Sequence, residues 1–455
     1  MQIVHGDRAL TPAGWQQDIE VVIDAAGRIA SVGAQRGTPT HRVPLLLPAP
    51  VNLHSHAFQR AMAGLTEARG PDPSDSFWSW RRLMYRFLDQ LTPDHAEAIA
   101  ALVFMEMQEA GYGAVAEFHY LHHDVGGTPY AQLSEMSQRI VAAADQTGIG
   151  MTLLPVFYQY GGCDQRPLLG GQRRFGNDAD QFLRLWSDAA ALIGAHGDAA
   201  AIGVAPHSLR AVDPGGLGAV LSGVPQGPIH MHLAEQVAEV DEVQSHFGAR
   251  PTEWLLANQP VDARWCLIHC TQMTGAETAA LAATGAVAGL CPLTESNLGD
   301  GIFNGTEYLG QGGSIGVGSD SNIHISLFEE LKTLEYSQRL RDRSRAALAV
   351  QDRSTGRVLF DAAARGGAQA GGRDCGRIEA GAWADLVGLE DDNQWLCNRG
   401  GDALLDSLIF SGGGQSCIRD VWSAGRHVVS GGRHHRRDAI IDNFKRVMQQ
   451  LETSI

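Results

Sequence analysis

The sequence predicts an α/β fold, a (β/α)8 TIM barrel with a small β-sandwich-like domain formed from both chain ends. Short β-like runs alternate with longer helix-like segments from about residue 51 to residue 372, as in the βα units of a parallel sheet. Eight such runs occur, and eight βα units close a TIM barrel. Strand-and-turn patterns before and after this region indicate the second, smaller domain.

The eight predicted barrel strands are short apolar runs bounded by turn residues. They are Leu45–His54, Gly113–Tyr120, Met151–Tyr158, Ala201–His207, Pro228–His232, Trp265–His269, Ala286–Cys291 and Ser314–Asp320. An insertion over residues 70–86 follows the first strand and is rich in aromatic residues. It is either a lid over the barrel mouth or an aromatic helix packed on the barrel.

The domain boundaries follow from where the pattern changes. Residues 1–48, with a predicted hairpin over 19–33, begin the small domain, and residues 49–372 form the barrel. Residues 373–455 complete the small domain with a second predicted hairpin over 421–429 and a terminal amphipathic helix over 440–452.

Composition excludes several classes of partner and compartment. The formal net charge of −16 argues against binding to nucleic acid or to an anionic membrane surface. No stretch resembles a transmembrane helix, and the N-terminus lacks the basic and apolar regions of a signal peptide. The seven cysteines form no CxxC pair, which is typical of reduced thiols in a cytoplasmic protein.

Polar residues stand at the carboxyl ends of most predicted barrel strands, where barrel enzymes have their active sites. They are His54, His56, Tyr120, His207, His232, His269 and Asp320. Because alternate side chains of a strand share a face, His54 and His56 point the same way. Each residue alone could simply close a strand, but their coincidence at one end of the barrel predicts a shared site.

Three histidines and one carboxylate suit a catalytic zinc with an open position for water. We therefore predict His54, His56, His232 and Asp320 as ligands of one Zn²⁺ per subunit, and another first-row divalent metal is an alternative. The only lysines are Lys332 and Lys445, which excludes a two-metal site bridged by a carboxylated lysine from a middle strand.

Two further residues are predicted to act beside the metal. Glu235 follows His232 by three positions and is placed to move a proton to a leaving nitrogen; alternatively it caps the next helix. His269 is placed to hydrogen-bond the attacking water and to stabilise charge during attack.

These motifs resemble the amidohydrolase superfamily in its mononuclear deaminase branch, and the 381–387 segment extends the resemblance over nearly the whole chain. Within that superfamily the chain is similar to the formimidoylglutamate deiminases over five segments: residues 52–64, 76–81, 116–120, 207–212 and 294–303. One departure is Asn322-Ile323-His324 behind Asp320, where a shorter, histidine-first segment is expected.

The resemblance implies deimination of N-formimidoyl-L-glutamate to N-formyl-L-glutamate and ammonia, a step of histidine degradation, by a hydroxide that the metal activates. Glu235, His269 and Asp320 are then the expected catalytic residues. Such a substrate carries two carboxylates, which guanidinium groups bind in bidentate fashion. Arg81 or its neighbour Arg82 and Arg210 are the expected partners, although each could instead make an ion pair elsewhere.

Gln59, Tyr120 and His207 complete the predicted substrate contacts. The alternative activity is deamination of a purine, pyrimidine or other amino-substituted ring, for which stacking aromatics would replace paired arginines. A non-catalytic, amidohydrolase-like scaffold is the alternative from another class. We expect a small dicarboxylate as ligand, a homodimer, and no nucleic-acid or membrane partner.

Overall fold

The structure, a computed structural model, describes residues 1–65, 67, 84–195 and 199–452. Two parallel sheets carry the strands that hold the predicted site, one in the order β5-β6-β7-β8, with β9 also paired to β7, and one in the order β10-β11-β12-β13. The strands of the first are Val51–Ser55 (β5), Ala114–His119 (β6), Gly150–Phe157 (β7), Ala200–Ile202 (β8) and Ala205–Pro206 (β9). Those of the second are Ile229–Leu233 (β10), Trp265–His269 (β11), Val287–Leu290 (β12) and Ser314–Val317 (β13).

Two isolated parallel bridges link these sheets at both edges. Val204 pairs with Ile229 at one edge, and Ser55 pairs with Asp320 at the other. The carboxyl ends of the first and last parallel strands are thereby brought side by side.

A third sheet of eight strands takes its members from both ends of the chain. From the beginning of the chain come Gln2–Thr11 (β1), Gly14–Ile23 (β2), Ile29–Ala34 (β3) and His41–Pro48 (β4). From its end come Leu386–Leu389 (β14), Ile418–Ser423 (β15), Arg426–Ser430 (β16) and Arg433–His434 (β17). Antiparallel pairing of β4 with β14 joins the two halves into one continuous sheet.

Helices connect the parallel strands, and further helices follow them toward the end of the chain. They are Pro93–Glu109 (α1), Glu135–Thr147 (α2), Ala179–Ala195 (α3), Pro214–Gly223 (α4), Val237–Phe247 (α5), Pro251–Asn258 (α6), Gly275–Ala282 (α7), Pro292–Leu298 (α8), Gly305–Gly310 (α9), Leu327–Asp342 (α10), Thr355–Ala370 (α11), Ala403–Phe410 (α12) and Arg437–Glu452 (α13). Several begin at side-chain caps; the Asp213 carboxylate, for example, accepts the Gly216 N–H at the start of α4. Within the described ranges, no helix combines the length and apolarity needed to cross a bilayer.

Two predicted barrel strands are wrong in extent. The predicted strand Leu45–His54 is two strands in different sheets, β4 and β5, separated at Ala49 and Pro50. Prolines at 48 and 50 have no N–H for a ladder, so the chain can leave one sheet there and enter another. The predicted strand Ala201–His207 is likewise interrupted after Ile202, where Gly203 packs so closely that a Cβ would lie 2.4 Å from the Pro228 carbonyl oxygen.

Candidate metal and active site

Four polar side chains meet where the edges of the two parallel sheets come together. His54 and His56 lie at the end of β5, His232 lies on β10, and Asp320 follows β13. One ring nitrogen from each histidine lies within 4.8 Å of those of the other two. Asp320 Oδ1 lies 3.5 Å from His54 Nε2 and 3.2 Å from His56 Nε2. The structure therefore brings together all four residues that the sequence predicts as metal ligands.

Backbone carbonyls orient two of the three imidazoles. His56 Nδ1 lies 3.0 Å from the carbonyl oxygen of Phe118, and His232 Nδ1 lies 3.0 Å from that of His207. A ring nitrogen that donates to a carbonyl carries the proton, so Nε2 of each ring keeps a lone pair for a metal. Neither ring nitrogen of His54 has a hydrogen-bond partner in the described part of the chain, although the residue is fully buried. These orphaned nitrogens fit a site that binds a cation.

Burial holds these imidazoles in the neutral form that ligates metals. It lowers the pKa of His54 to about 3 and also lowers the pKa of His56 and of His232. Burial alone raises the pKa of Asp320, but the neighbouring histidines outweigh it and the net shift is downward, which keeps the carboxylate ionised. Three neutral imidazoles and one carboxylate are a suitable donor set for zinc.

A buried amide network fixes Asp320 against the His54–His56 strand. The Asn322 side chain donates to Ser55 Oγ (3.2 Å) and to the Asp320 carbonyl (3.1 Å), and its Oδ1 accepts from Ser319 Oγ (2.6 Å). Asn52 closes the network by donating to Ser319 Oγ (2.7 Å). The backbone of Asn322 has a φ of +56°, a left-handed conformation that asparagine tolerates better than most residues. Asn322, the first residue of the segment that departs from the family pattern, therefore supports Asp320, the predicted metal ligand. The sequence analysis did not predict this role.

Glu235 and His269 stand beside the four predicted ligands. His269 Nε2 lies 3.8 Å from Glu235 Oε1 and 3.9 Å from Asp320 Oδ2. Burial lowers the pKa of His269, but the surrounding carboxylates outweigh it and raise this pKa to about 10. Burial also raises the pKa of Glu235, against the opposing charges of His269 and Arg210. The Glu235 carboxyl and the His269 imidazole thus lie together beside the predicted metal ligands.

Glu295 is a further residue at this site that the sequence analysis did not single out. Its Oε1 lies 3.2 Å from His269 Nδ1 and accepts the Cys291 N–H at 2.8 Å. Glu295 therefore orients the His269 ring from the side away from the pocket. The available signal was an acidic residue in the first turn of the helix that follows β12.

Four of the five predicted substrate residues line one pocket together with His56, His232 and Asp320 of the candidate metal site. Gln59, Tyr120, His207 and Arg210 contribute to the walls of this pocket. The Gln59 amide donates to Tyr120 Oη at 2.7 Å, while Gln59 Oε1 is buried without a hydrogen-bond partner among the described residues.

Arg210 provides positive charge in this pocket. Its Nη2 lies 3.6 Å from Glu235 Oε2 and 3.9 Å from Glu239 Oε2, and its side chain is 15% exposed. The guanidinium therefore lies next to the predicted proton donor and remains accessible from the pocket.

Several pocket residues were not predicted, and one prediction cannot be located. Met84, Tyr85, Tyr158, Phe175, Leu298 and Ser321 also line the pocket. They come from loops and strand ends, and no motif distinguishes them in the sequence. Arg81, its neighbour Arg82 and most of the predicted insertion lie outside the described residues.

Comparison with known proteins decides the family. A model described as "Amidohydrolase family" matches residues 45–428, and one described as "Formimidoylglutamate deiminase HutF, N-terminal domain" matches residues 1–38. A formimidoylglutamate deiminase of Pseudomonas aeruginosa is 47% identical over 455 residues, which is 99% of this chain and 100% of the relative.

The chain is an amidohydrolase of the formimidoylglutamate deiminase family. Members of this family are metal-dependent hydrolases that act on C–N bonds. The crystal structure of an amidohydrolase from Brucella melitensis superposes with a TM-score of 0.94 at 47% identity, covering 99% of this chain and 100% of that one. An adenosine deaminase from Xanthomonas campestris, solved with bound zinc, has the same fold as the present chain, with a TM-score of 0.83 and 20% identity. The match covers 99% of the present chain and 98% of the deaminase.

Proposed function

We propose that this chain hydrolyses N-formimidoyl-L-glutamate to N-formyl-L-glutamate and ammonia in histidine degradation. The observation that carries the proposal is the 47% identity to a formimidoylglutamate deiminase along the full length of both chains. The pocket is compatible with it, because a metal-type ligand set and an arginine for a carboxylate lie in the same cavity.

Zinc is the proposed cofactor, held by His54, His56, His232 and Asp320. When bound there, the metal lowers the pKa of a water molecule so that it can attack a carbon centre near neutral pH. The donor set supports one divalent ion, and zinc is favoured over magnesium or calcium because three of the four donors are imidazoles.

The protein groups supply the proton transfers. Water adds to the formimidoyl carbon while the protonated His269 steers it and the Asp320 carboxylate accepts the proton that the water loses. Glu235 passes this proton to the imino nitrogen, the hydroxyl proton of the adduct follows to the same nitrogen, and the C–N bond then breaks to release ammonia. The carbon keeps the water oxygen and becomes the formyl group. The 3.8 Å separation of His269 and Glu235 supports a short path between the two proton-carrying groups.

The side chains around the pocket select the substrate. Arg210 pairs with one substrate carboxylate, and Arg81 is proposed for the other. Tyr120 and His207 offer further hydrogen bonds, and Gln59 Oε1, which has no hydrogen-bond partner among the described residues, is a ready acceptor for a formimidoyl N–H.

The remaining expectations are proposals at the level of architecture. We propose that the parallel strands close into a TIM barrel over residues 49–372, supported by the two edge bridges, and that residues 1–48 and 373–455 form the small β-domain with a terminal helix. A cytoplasmic homodimer that binds neither nucleic acid nor membranes is proposed from composition and from the family.

A substrate panel tests the activity. Purified, zinc-loaded protein is offered N-formimidoyl-L-glutamate, N-formimidoyl-L-aspartate, guanine and cytosine in parallel, and ammonia release is measured. Turnover of the glutamate compound well above the other three is the expected result. Turnover of a ring compound instead would replace the proposed substrate while keeping the deaminase chemistry.

A further inference from the structure

A second group of metal-type ligands lies in the eight-stranded sheet, apart from the two parallel sheets. One ring nitrogen of His5 and one carboxylate oxygen each of Asp7 and Asp18 lie within 4.8 Å of one another. His5 and Asp7 are two residues apart on β1 and share a face, and Asp18 lies on the paired strand β2. The proposed deimination uses none of these residues.

The strand pairing concentrates negative charge on this face. His5 pairs with Glu20, and the neighbouring pairs of the ladder leave Asp7 directly opposite Asp18. Like charges directly opposite one another in an antiparallel pair are destabilising. The carboxylates on this face are those of Asp7, Asp18 and Glu20. Arg42 on β4 lies 2.7 Å from Asp7 and offsets its negative charge. The Glu20 carboxylate accepts the backbone N–H groups of Arg36 and Gly37, so Asp7 and Asp18 are the carboxylates beside His5 that can bind a cation.

His5 gives an independent indication of a ligand. Its side chain is fully buried, and neither ring nitrogen has a hydrogen-bond partner in the part of the chain that the structure describes. Nδ1 lies 3.4 Å from Asp7 Oδ1, and Nε2 lies 3.8 Å from Asp18 Oδ1. A buried polar atom without a partner is destabilising by about 1–3 kcal/mol, so such atoms usually have one.

One donor distance already suits a small metal ion. Two donors that each lie about 2.1 Å from a zinc ion in tetrahedral geometry are about 3.4 Å apart. The 3.4 Å between His5 Nδ1 and Asp7 Oδ1 is close to this value, whereas Asp18 Oδ1 lies 3.8 Å from the other ring nitrogen, Nε2, and must move to reach an ion bound at Nδ1. The Asp18 side chain is 74% exposed, so it can adjust while the buried imidazole stays fixed.

We propose that His5, Asp7 and Asp18 form a second divalent-metal site, which binds zinc or a similar first-row ion and joins β1 to β2. One imidazole nitrogen and two carboxylate oxygens coordinate the ion, and water completes its coordination. Three ligands at a partly exposed position make this site weaker than the one in the barrel.

Zinc stoichiometry tests the site. Metal-free protein is dialysed against buffered Zn²⁺, and zinc per chain is measured for the wild type, for Asp18→Asn and for Asp188→Asn. Asp188 is an exposed aspartate on α3, so its variant removes the same charge elsewhere. The expected result is two zinc ions per chain in the wild type and in Asp188→Asn. In Asp18→Asn, at least tenfold weaker binding at the second site should leave one ion, with deimination unchanged.

Two results would overturn the second site. One is a single zinc ion in both the wild type and Asp18→Asn, which would make His5 an ion-pair partner of the aspartates. The other is two zinc ions in Asp18→Asn with unchanged affinity. One ion in the wild type and none in Asp18→Asn would support the second site and count against zinc in the barrel. Because Asp18 is exposed, its variant is expected to fold.

Discussion

Replacing Asn322 by alanine should weaken metal binding although Asn322 is not itself a ligand. Its side chain makes three hydrogen bonds, to Ser55, Ser319 and the Asp320 carbonyl, all in the buried interior. At about 0.5–1.5 kcal/mol each, their loss destabilises this region by about 1.5–4.5 kcal/mol. Residues that support a metal ligand typically change affinity by about 10- to 100-fold, or about 1.4–2.7 kcal/mol. The two ranges overlap, so we expect a loss of zinc affinity within them.

The assay is competition with a chromophoric zinc chelator, with thermal unfolding of the metal-free protein alongside. Asn322→Gly distinguishes the effect of losing the side chain from the effect of backbone strain, because glycine adopts the φ of +56° without strain. Both variants should lose zinc affinity to a similar extent. Asn443→Ala, in the terminal helix α13, is the control and should bind zinc like the wild type. If Asn322→Ala bound zinc within twofold of the wild type, the network would have no role in holding Asp320.

Other side chains give sharper tests of individual roles. Arg210→Met should raise KM by about 10- to 100-fold with a smaller effect on kcat, as expected for loss of a charged hydrogen bond made equally in ground and transition states. Arg173→Met, at an exposed position outside the lining of this pocket, should leave both constants unchanged. Glu235→Gln should lower kcat by about 100-fold or more at saturating substrate, and near-normal turnover would remove Glu235 as proton donor. Glu295→Gln should lower kcat by about tenfold and leave KM unchanged, because the His269 ring loses the charge that orients it; an unchanged kcat would contradict this. Burial lowers the pKa of His119 to about 3, so on acidification from pH 7.5 to 5 the unfolded chain gains a proton at this residue that the folded chain does not. The free energy of unfolding therefore decreases as the pH is lowered over this range, by about 2 kcal/mol for this residue. The thermal midpoint of His119→Gln should fall less than that of the wild type over the same range, and equal falls would refute this.

The candidate metal site could be predicted from sequence because each predicted ligand lies at or near the end of a predicted parallel strand. His54 and His56 alternate on one strand, and His232 and Asp320 lie at or just beyond the ends of later strands, so periodicity and the shared carboxyl edge of parallel strands together predicted that they meet. Residues whose role depends on a distant partner could not be found this way. Glu295 supports His269 from 26 positions along the chain, and Asn322 reaches Ser55 across 267 positions.

The errors in strand assignment have a similar origin. The run from residue 45 to 54 is buried throughout, so hydrophobicity cannot show that its two halves belong to different sheets. Pro48 and Pro50 were the available signal, because a residue without an N–H rarely occurs inside a strand with neighbours on both sides. The break at Gly203 depends on the close approach of the Pro228 backbone, which is a tertiary contact.

The most direct test of the central claim identifies which C–N bond breaks. The zinc-loaded protein is incubated with N-formimidoyl-L-glutamate, and the products are followed by proton NMR together with an ammonia assay. The proposed chemistry predicts N-formyl-L-glutamate and ammonia in equal amounts. Formamide with free glutamate would mean that the bond to the glutamate nitrogen is cleaved instead, and would contradict deimination at this site.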